Sequence, residues 1–134
     1  MLKDPRNKLA EVHPDLAAAV KAAANQLDFD VLVVCGYRGK ADQEAAFKSG
    51  NSKARFGQSP HNLTLSCAVD LCPLDSNGKP DWKTILLYDK IKVEMLKAGN
   101  ITAGADFRKL VDRPHFELTD WKQRLKAGEV WLKK

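Results

Sequence analysis

Long apolar runs, low-complexity segments and internal repeats are all lacking from this chain of 134 residues. No apolar run approaches the roughly 18 residues that a membrane-spanning helix requires. The longest, Val31–Cys35, has the length of a strand. No apolar core follows the charged N-terminus, so the sequence predicts no signal peptide, and export would need another route. The hydrophobic fraction of 44% is nevertheless too high for a disordered chain, which predicts one folded domain.

Cysteine is scarce as well, since the chain holds only Cys35, Cys67 and Cys72. An odd number of cysteines in a chain without a predicted signal peptide argues against a disulfide framework. We therefore expect reduced thiols in a cytoplasm.

Basic residues outnumber acidic ones by 22 to 17, which gives a net charge of +5. Such an excess favours an anionic partner, such as nucleic acid, a membrane surface or an acidic polymer. The last 14 residues contain one acid, Glu129, and five bases: Lys122, Arg124, Lys126, Lys133 and Lys134. A solvated helix face with a frayed tail explains the same pattern. The helix predicted at 83–98 mixes its lysines with Asp89 and Glu94, which argues against nucleic acid as the partner.

Hydrophobic periodicity and turn residues predict the order α-β-α-β-α-β-α, with no linker that would split the chain. The sequence thus predicts one α+β domain over residues 1–134. Pro14 suits a first helical position, and Thr119 is a plausible N-cap of the last helix. The predicted helices run from Pro14 to near Asp28, from Ala41 to Lys48, over 83–98 and after Thr119; the predicted strands are Asp30–Cys35, Ser66–Leu71 and Pro114–Leu118.

Two of the three histidines lie near carboxylates in predicted strands. His61 precedes Asp70 by nine residues, and Asp70 stands inside an apolar strand, where an unpaired carboxylate costs several kcal/mol. His115 lies on the last strand, three residues after Asp112. Two imidazoles and one carboxylate would supply three metal ligands and leave a fourth position for water. The remaining carboxylate, Asp112, could then accept a proton from that water.

A structural reading of these residues stays open on spacing alone. Asp70 could be paired with Arg38 or Arg113, and a histidine on a strand is commonly a core residue with its hydrogen bonds satisfied. The chain contains no H-E-x-x-H sequence. The third histidine, His13, precedes the first helix, which favours a capping or packing role.

Four ordered motifs resemble a known family. They are Gly36-Tyr37-Arg38 with Gln43, Ser59-Pro60-His61 through Asp70-Leu71, Gly104-Ala105-Asp106-Phe107, and Asp112-Arg113-Pro114-His115-Phe116-Glu117. Together with Val12-His13-Pro14-Asp15-Leu16, they resemble the zinc peptidases that cleave peptidoglycan as D-alanyl-D-alanine carboxypeptidases or L-alanyl-D-glutamate endopeptidases, a family that includes phage endolysins. The resemblance covers residues 9–120, and Phe107 stands where tryptophan is usual.

The resemblance implies a central, mostly antiparallel sheet with flanking helices and a zinc site on the sheet. His61, Asp70 and His115 would hold Zn²⁺, and Asp112 would be the general base. It further implies that the always-charged fork of Arg38 holds the scissile carbonyl oxygen or a substrate carboxylate.

The substrate groove would be lined by Gln43 and Ser59, again by resemblance. The spacing from His61 to Asp70 is two residues longer than is commonest in the family. This implies a wider loop between two fixed ligands. If the strand were instead shifted in register, Asp70 would leave the site. Strand parity puts Cys72 on the same face as Asp70, as a further ligand or as a small buried residue.

The sequence therefore favours a zinc L-alanyl-D-glutamate endopeptidase that acts as a phage or prophage endolysin. The lack of a predicted signal peptide suggests that it is held in the host cytoplasm until lysis. We expect the protein to be a monomer whose partner is bacterial peptidoglycan. We expect no nucleic-acid partner, no membrane insertion and no separate wall-binding domain. The alternatives are a D-alanyl-D-alanine carboxypeptidase and a non-catalytic basic module that binds the wall or nucleic acid.

Overall fold

A five-stranded sheet forms the centre of the fold. The structure, a computed structural model, describes residues 1–133. Its strands are β1 (Leu2–Lys3), β2 (Val31–Cys35), β3 (Leu63–Thr64), β4 (Ala68–Pro73), β5 (Ile101–Ala103), β6 (His115–Leu118) and β7 (Trp131–Leu132). Its α-helices are α1 (Pro14–Asn25), α2 (Lys40–Lys48), α3 (Ile85–Leu96) and α4 (Trp121–Lys126).

The strand order in the main sheet is β1-β2-β4-β6-β5, and only the β1–β2 pair is parallel. The strands β3 and β7 form a second, two-stranded antiparallel sheet. The prediction of an α+β fold with a mostly antiparallel sheet is thus confirmed. Four strands were not predicted (β1, β3, β5 and β7), because two or three residues are too few to show a periodicity.

The helix α1 shows why the apolar stripe of its sequence forms a helix. Pro14 occupies the first helical position, and the preceding His13 is the N-cap, whose Nδ1 accepts a hydrogen bond from the Asp15 amide at 3.1 Å. The capping role predicted for His13 is confirmed. The buried side of α1 carries Leu16 and Val20 and packs against α3, where Ile91 and Met95 are buried. Each such side chain contributes about 1.5–3 kcal/mol of hydrophobic stabilisation.

Two predicted helix ends are wrong for local reasons. The helix predicted from residue 83 begins at Ile85, because Asp81 accepts hydrogen bonds from the amides of Lys83 and Thr84 and holds them in a turn. The N-cap of α4 is Asp120 and not Thr119. The Thr119 hydroxyl instead shares a 2.7 Å hydrogen bond with the Thr102 hydroxyl of β5.

The pairing of β4 with its two neighbours brings the predicted site together. In the register, Asp70 lies opposite Cys35 of β2 and opposite His115 of β6. The strand has therefore not slipped, and the long segment between His61 and Asp70 contains the extra strand β3. The longer spacing is accommodated by a structured segment that leaves Asp70 beside both histidines.

The basic C-terminal segment is partly neutralised. Arg124 forms ion pairs with Asp15, Asp120 and Glu129 at 2.8–3.2 Å, so its charge is compensated within the fold. Lys122 and Lys126 are exposed, and Lys134 lies outside the described residues. Over residues 1–133, none of the helices has both the length and the apolar character needed to cross a bilayer.

Candidate active site

An open groove of about 580 Å³ lies over one end of the sheet. Its walls come from two irregular segments, residues 51–60 and 107–112, and its floor includes His61 and His115. Of the five other predicted site residues, four line the groove or lie directly beneath its floor. Arg38, Ser59 and Asp112 line the groove, and Asp70 lies beneath it, bonded to both histidines.

Three predicted ligands converge on one point. His61 Nε2 lies 3.2 Å from Asp70 Oδ1, and His115 Nδ1 lies 3.4 Å from the same oxygen. The two imidazole rings stand edge to face, with centroids 5.1 Å apart. All three side chains are largely buried, so water does not compete strongly for these atoms.

The outer nitrogen of each histidine has a pure acceptor as its partner. His61 Nδ1 lies 2.7 Å from the carbonyl oxygen of Gly36, and His115 Nε2 lies 2.7 Å from a carboxylate oxygen of Glu117. Because carbonyl and carboxylate oxygens only accept, these outer nitrogens carry the hydrogens of the neutral rings. The inner nitrogens then present lone pairs to Asp70, so two lone pairs and a carboxylate face each other. This donor set suits a metal cation.

The electrostatics show that the point between these three side chains attracts positive charge. Burial opposes charge on His61, but the attraction and hydrogen bond of Asp70 outweigh it and raise the His61 pKa to about 10. Burial likewise opposes ionisation of Asp70, yet the two histidines hold the Asp70 pKa well below its usual range. The buried carboxylate therefore needs a positive charge beside it. The Arg38 guanidinium, 3.4 Å from Asp70 Oδ2, supplies one such charge, and a proton on an imidazole or a metal ion can supply another.

Asp112 lies at the edge of this cluster. Donor atoms of Asp70, Asp112 and His115 all lie within 4.8 Å of one another. The Asp112 amide donates to the Gly104 carbonyl at 3.0 Å, and its own carbonyl accepts from the His115 amide at 3.1 Å. Burial and the nearby charge of Asp70 raise the Asp112 pKa. A carboxylate whose pKa is raised holds a proton more readily, as a general base must during turnover.

Arg38 borders the cluster through its guanidinium. Its Nη2 lies 3.4 Å from Asp70 Oδ2, and its Nη1 donates to Gln43 Oε1 at 3.2 Å. The pairing of Asp70 with Arg38 that the sequence left open is therefore present, together with the two histidines. Among the described residues, Asp70 forms no ion pair with Arg113, whose Nε is buried without a hydrogen-bond partner.

Ser59 and Gln43 differ in their access to the groove. Ser59 lines it, and its hydroxyl accepts a hydrogen bond from the His61 amide at 3.2 Å, which fixes the turn that carries this histidine. Gln43 is fully buried behind the wall, with its side chain bonded to Arg38, Ser52, Ala54 and Asn62. Gln43 therefore reaches the groove only through these partners.

Three residues at the site were not predicted. Glu117 accepts hydrogen bonds from His115 and from Trp121 Nε1, the latter at 3.0 Å; its position two residues after His115 on one strand was the available signal. Cys35 Sγ lies 4.0 Å from His61 Nδ1 and, with Asp70, forms a second group of potential ligands. Asn62 is buried beside Gln43.

Cys72 is a buried residue with a partner of its own. Its Sγ lies 3.4 Å from the Tyr88 hydroxyl and is fully buried. Although it shares strand parity with Asp70, it belongs to neither of the potential ligand groups found among residues 1–133. The reading of Cys72 as a small buried residue is the one that the structure supports.

Comparisons with known proteins agree with this geometry. Residues 1–119 match the family model described as phage L-alanyl-D-glutamate peptidase. The chain is 30% identical over 131 residues to the peptidoglycan L-alanyl-D-glutamate endopeptidase CwlK of Bacillus subtilis, covering 81% of this chain and 74% of that protein. The crystal structure of the L-Ala D-Glu endopeptidase ChiX of Serratia marcescens matches with a TM-score of 0.77 at 26% identity, covering 93% of this chain and 95% of that one.

The fold and the site together define a hydrolytic enzyme, a peptidoglycan endopeptidase. The chain belongs to the phage L-alanyl-D-glutamate peptidase family. The resemblance stated from the sequence motifs is thereby confirmed.

Gly104 is a position where the site tolerates no side chain. A Cβ there would collide with the Asp112 carbonyl and would lie 2.8 Å from His115 Cβ. We expect Gly104→Ala to lower the free energy of unfolding by about 1–3 kcal/mol and to weaken metal binding, because Asp112 and His115 must shift. The matched control is Gly39→Ala, whose Cβ would lie no closer than 3.7 Å to Tyr37. Thermal unfolding and metal titration check this; equal behaviour of both variants would contradict it.

Proposed function

We propose that the chain is a zinc-dependent L-alanyl-D-glutamate endopeptidase that acts on the peptide stem of peptidoglycan. The observation that carries the proposal is the convergence of two imidazole lone pairs and one carboxylate at the floor of an open groove, beside a second carboxylate. His61, Asp70 and His115 would hold the zinc ion. When bound, zinc would supply a Lewis acid that polarises the scissile carbonyl and lowers the pKa of a water to about 7.

The chain's own residues would carry the proton and orient the substrate. The Asp112 carboxylate would accept the proton of the attacking water and then donate it to the nitrogen of the leaving amine. Arg38 Nη2, which faces both the groove and Asp70, would hold the carbonyl oxygen or a substrate carboxylate. Ser59 would hold the turn of His61 at the groove wall.

The open shape of the groove favours an endopeptidase over a carboxypeptidase. The groove is open, so substrate could extend to both sides of the scissile bond.

The products of digestion test the proposal directly. Purified peptidoglycan treated with the zinc-loaded enzyme should gain new N-terminal glutamate amines and L-alanine carboxylates. Release of free D-alanine instead would identify a carboxypeptidase. If neither product forms while the protein still sediments with the wall, the chain is a binding module.

The endolysin role is supported by the phage description of the family. In that role the enzyme would remain in the host cytoplasm until lysis and would then act on the cell wall. A monomeric state and the lack of a nucleic-acid partner stay predictions.

Cations on the groove rim should attract the carboxylates of stem peptides. Lys53, Arg108 and Lys109 line the groove, and none forms a salt bridge within residues 1–133. We expect the triple alanine variant to raise KM for a soluble stem peptide by about tenfold, with little change in kcat, since the lost attraction acts equally on ground and transition states. The difference should shrink at high salt.

The control variant removes the same amount of positive charge away from the groove, because alanine replaces Lys122, Lys126 and Lys133. Arg124 is left in place because it holds three acids of the fold. This variant should keep KM for the soluble peptide and bind intact walls more weakly at low salt. If the two variants raise KM equally, overall charge and not the rim determines substrate attraction.

A further inference from the structure

We propose that Gln43 and Asn62 form a buried amide pair that locks the groove wall at residues 51–58 to Arg38, so that Gln43 acts as a positioning residue and does not itself touch substrate. The inference rests on the proposed function insofar as Arg38 serves the reaction. Gln43 lies on α2, and Asn62 ends the short 3-10 turn Pro60–Asn62 that carries His61. Both side chains are fully buried, and Asn62 Nδ2 donates to Gln43 Oε1 at 3.1 Å.

One side of the amide pair holds Arg38. Gln43 Oε1 accepts from Arg38 Nη1 at 3.2 Å, which fixes the guanidinium. Asn62 Nδ2 donates to the Arg38 carbonyl at 3.0 Å, which fixes the backbone of the same residue. Arg38 Nη2 is left to face Asp70. The orientation of the arginine fork above the metal-binding floor thus depends on both amides.

The other side of the amide pair holds the groove wall. Gln43 Nε2 donates to the Ala54 carbonyl at 2.6 Å and to the Ser52 hydroxyl at 3.0 Å. Asn62 Oδ1 accepts from the amides of Gly57 and Ser59 at 2.9 and 3.2 Å. Residues 51–58 contain no helix or strand, so these bonds supply much of what docks the segment.

The hydrogen-bonding capacity of the amide pair is fully used within the protein. A primary amide has two donors and two acceptor positions. Gln43 donates to Ser52 and Ala54 and accepts from Arg38 and Asn62. Asn62 is saturated in the same way, and neither side chain is exposed. Nothing is left with which Gln43 could bind substrate, while loss of one member would leave several buried groups unpaired.

Two substitutions of Gln43 separate its two connections. Gln43→Glu keeps an oxygen that accepts from Arg38 and Asn62 but loses the donors to Ala54 and Ser52. It should therefore release the wall and keep Arg38 in place. Gln43→Met fills the space with no polar atom, so it should release both.

The rate of trypsin cleavage measures how firmly the groove wall is held, because Lys53 and Arg55 lie in this wall and are exposed. We expect cleavage there, relative to cleavage after Lys97 in another loop, to accelerate about tenfold in both variants, since the segment loses its hydrogen bonds to residue 43. KM for a stem peptide should rise in both variants, and kcat should fall clearly only in Gln43→Met. Zinc content should stay that of the unmodified protein, and Gln123→Glu, an exposed matched change, should alter none of these.

A rise in KM without faster cleavage at Lys53 or Arg55 would overturn the proposal, because Gln43 would then contact substrate directly. Unchanged cleavage and kinetics would overturn it too. If Gln43→Met does not fold, the near-isosteric Gln43→Glu tests the proposal alone, through trypsin cleavage of the wall and KM for the stem peptide. If the unmodified enzyme has no peptidase activity, the proposed function fails, and the proteolysis result still tests the amide pair separately.

Discussion

Replacing Asp70 by alanine or asparagine is expected to abolish zinc binding and, with it, peptidase activity. Among residues 1–133, this carboxylate is the only negative charge that both histidines contact directly at the point of convergence, and it lies within 3.4 Å of each. Changes to groups that merely support a ligand cost 10–100-fold in metal affinity, so loss of a ligand itself should cost more than about 100-fold. Elemental analysis of the purified protein should find one zinc per chain, and none in either variant.

The asparagine variant separates charge from packing, because it keeps the volume of the buried side chain. Asp89→Ala, on the exposed side of α3, is the control and should retain zinc and activity. If both Asp70 variants retained zinc, the ion would be held elsewhere. Cys35 with His61 would then be the next pair to test, since its sulfur lies 4.0 Å from that ring.

Asp112→Asn is expected to leave zinc binding intact and to lower kcat by about 10²–10⁴-fold, the range typical of a lost general base. Asparagine keeps the shape of the side chain, and the backbone bonds of residue 112 to Gly104 and His115 do not involve the carboxylate. The amide cannot accept the proton of the attacking water. Steady-state kinetics on a stem peptide, beside zinc analysis, measure both quantities.

Glu117→Gln provides the contrast, because Glu117 bonds the outer nitrogen of His115. We expect this variant to lower zinc affinity by 10–100-fold and to recover most of kcat when zinc is saturating. The assignment of the base would be wrong if Asp112→Asn stayed within about threefold of the unmodified enzyme, or if Glu117→Gln showed the larger loss of kcat at saturating zinc.

The sequence predicted those elements whose residues repeat over several turns or along a buried strand. The helix predicted to begin at Pro14 and the apolar run Val31–Cys35 are of this kind. Both elements formed, although the helix ends at Asn25 and not near Asp28. The strands β3 and β7 could not be found in this way, because each has two residues and exists only through its pairing with the other. Their stability comes from tertiary contact, which no local pattern encodes.

The site was predictable to the extent that motifs mark residue types. His61, Asp70, His115 and Asp112 were named from the sequence, and the fold brings them together. Motifs say less about how deeply a side chain is buried. Gln43 belongs to the Arg38 motif, yet its burial depends on where α2 packs against the turn of His61. The partners Asn62 and Glu117 likewise gain their roles from hydrogen bonds across segments distant in sequence or across a strand.

The pairing of β3 with β7 bears on how this enzyme can be recombined with others. The match to the family model ends at residue 119, but β7 beyond it joins the strand that directly follows the turn of His61. Trp121, also beyond it, donates to the carboxylate that holds His115. A chimera spliced at the family boundary would thus keep His61, Asp70, Asp112 and His115 but lose two of the contacts that support the histidines. A chimera should instead be joined after Leu132, so that it keeps the pairing of β3 with β7 and the hydrogen bond from Trp121 to Glu117.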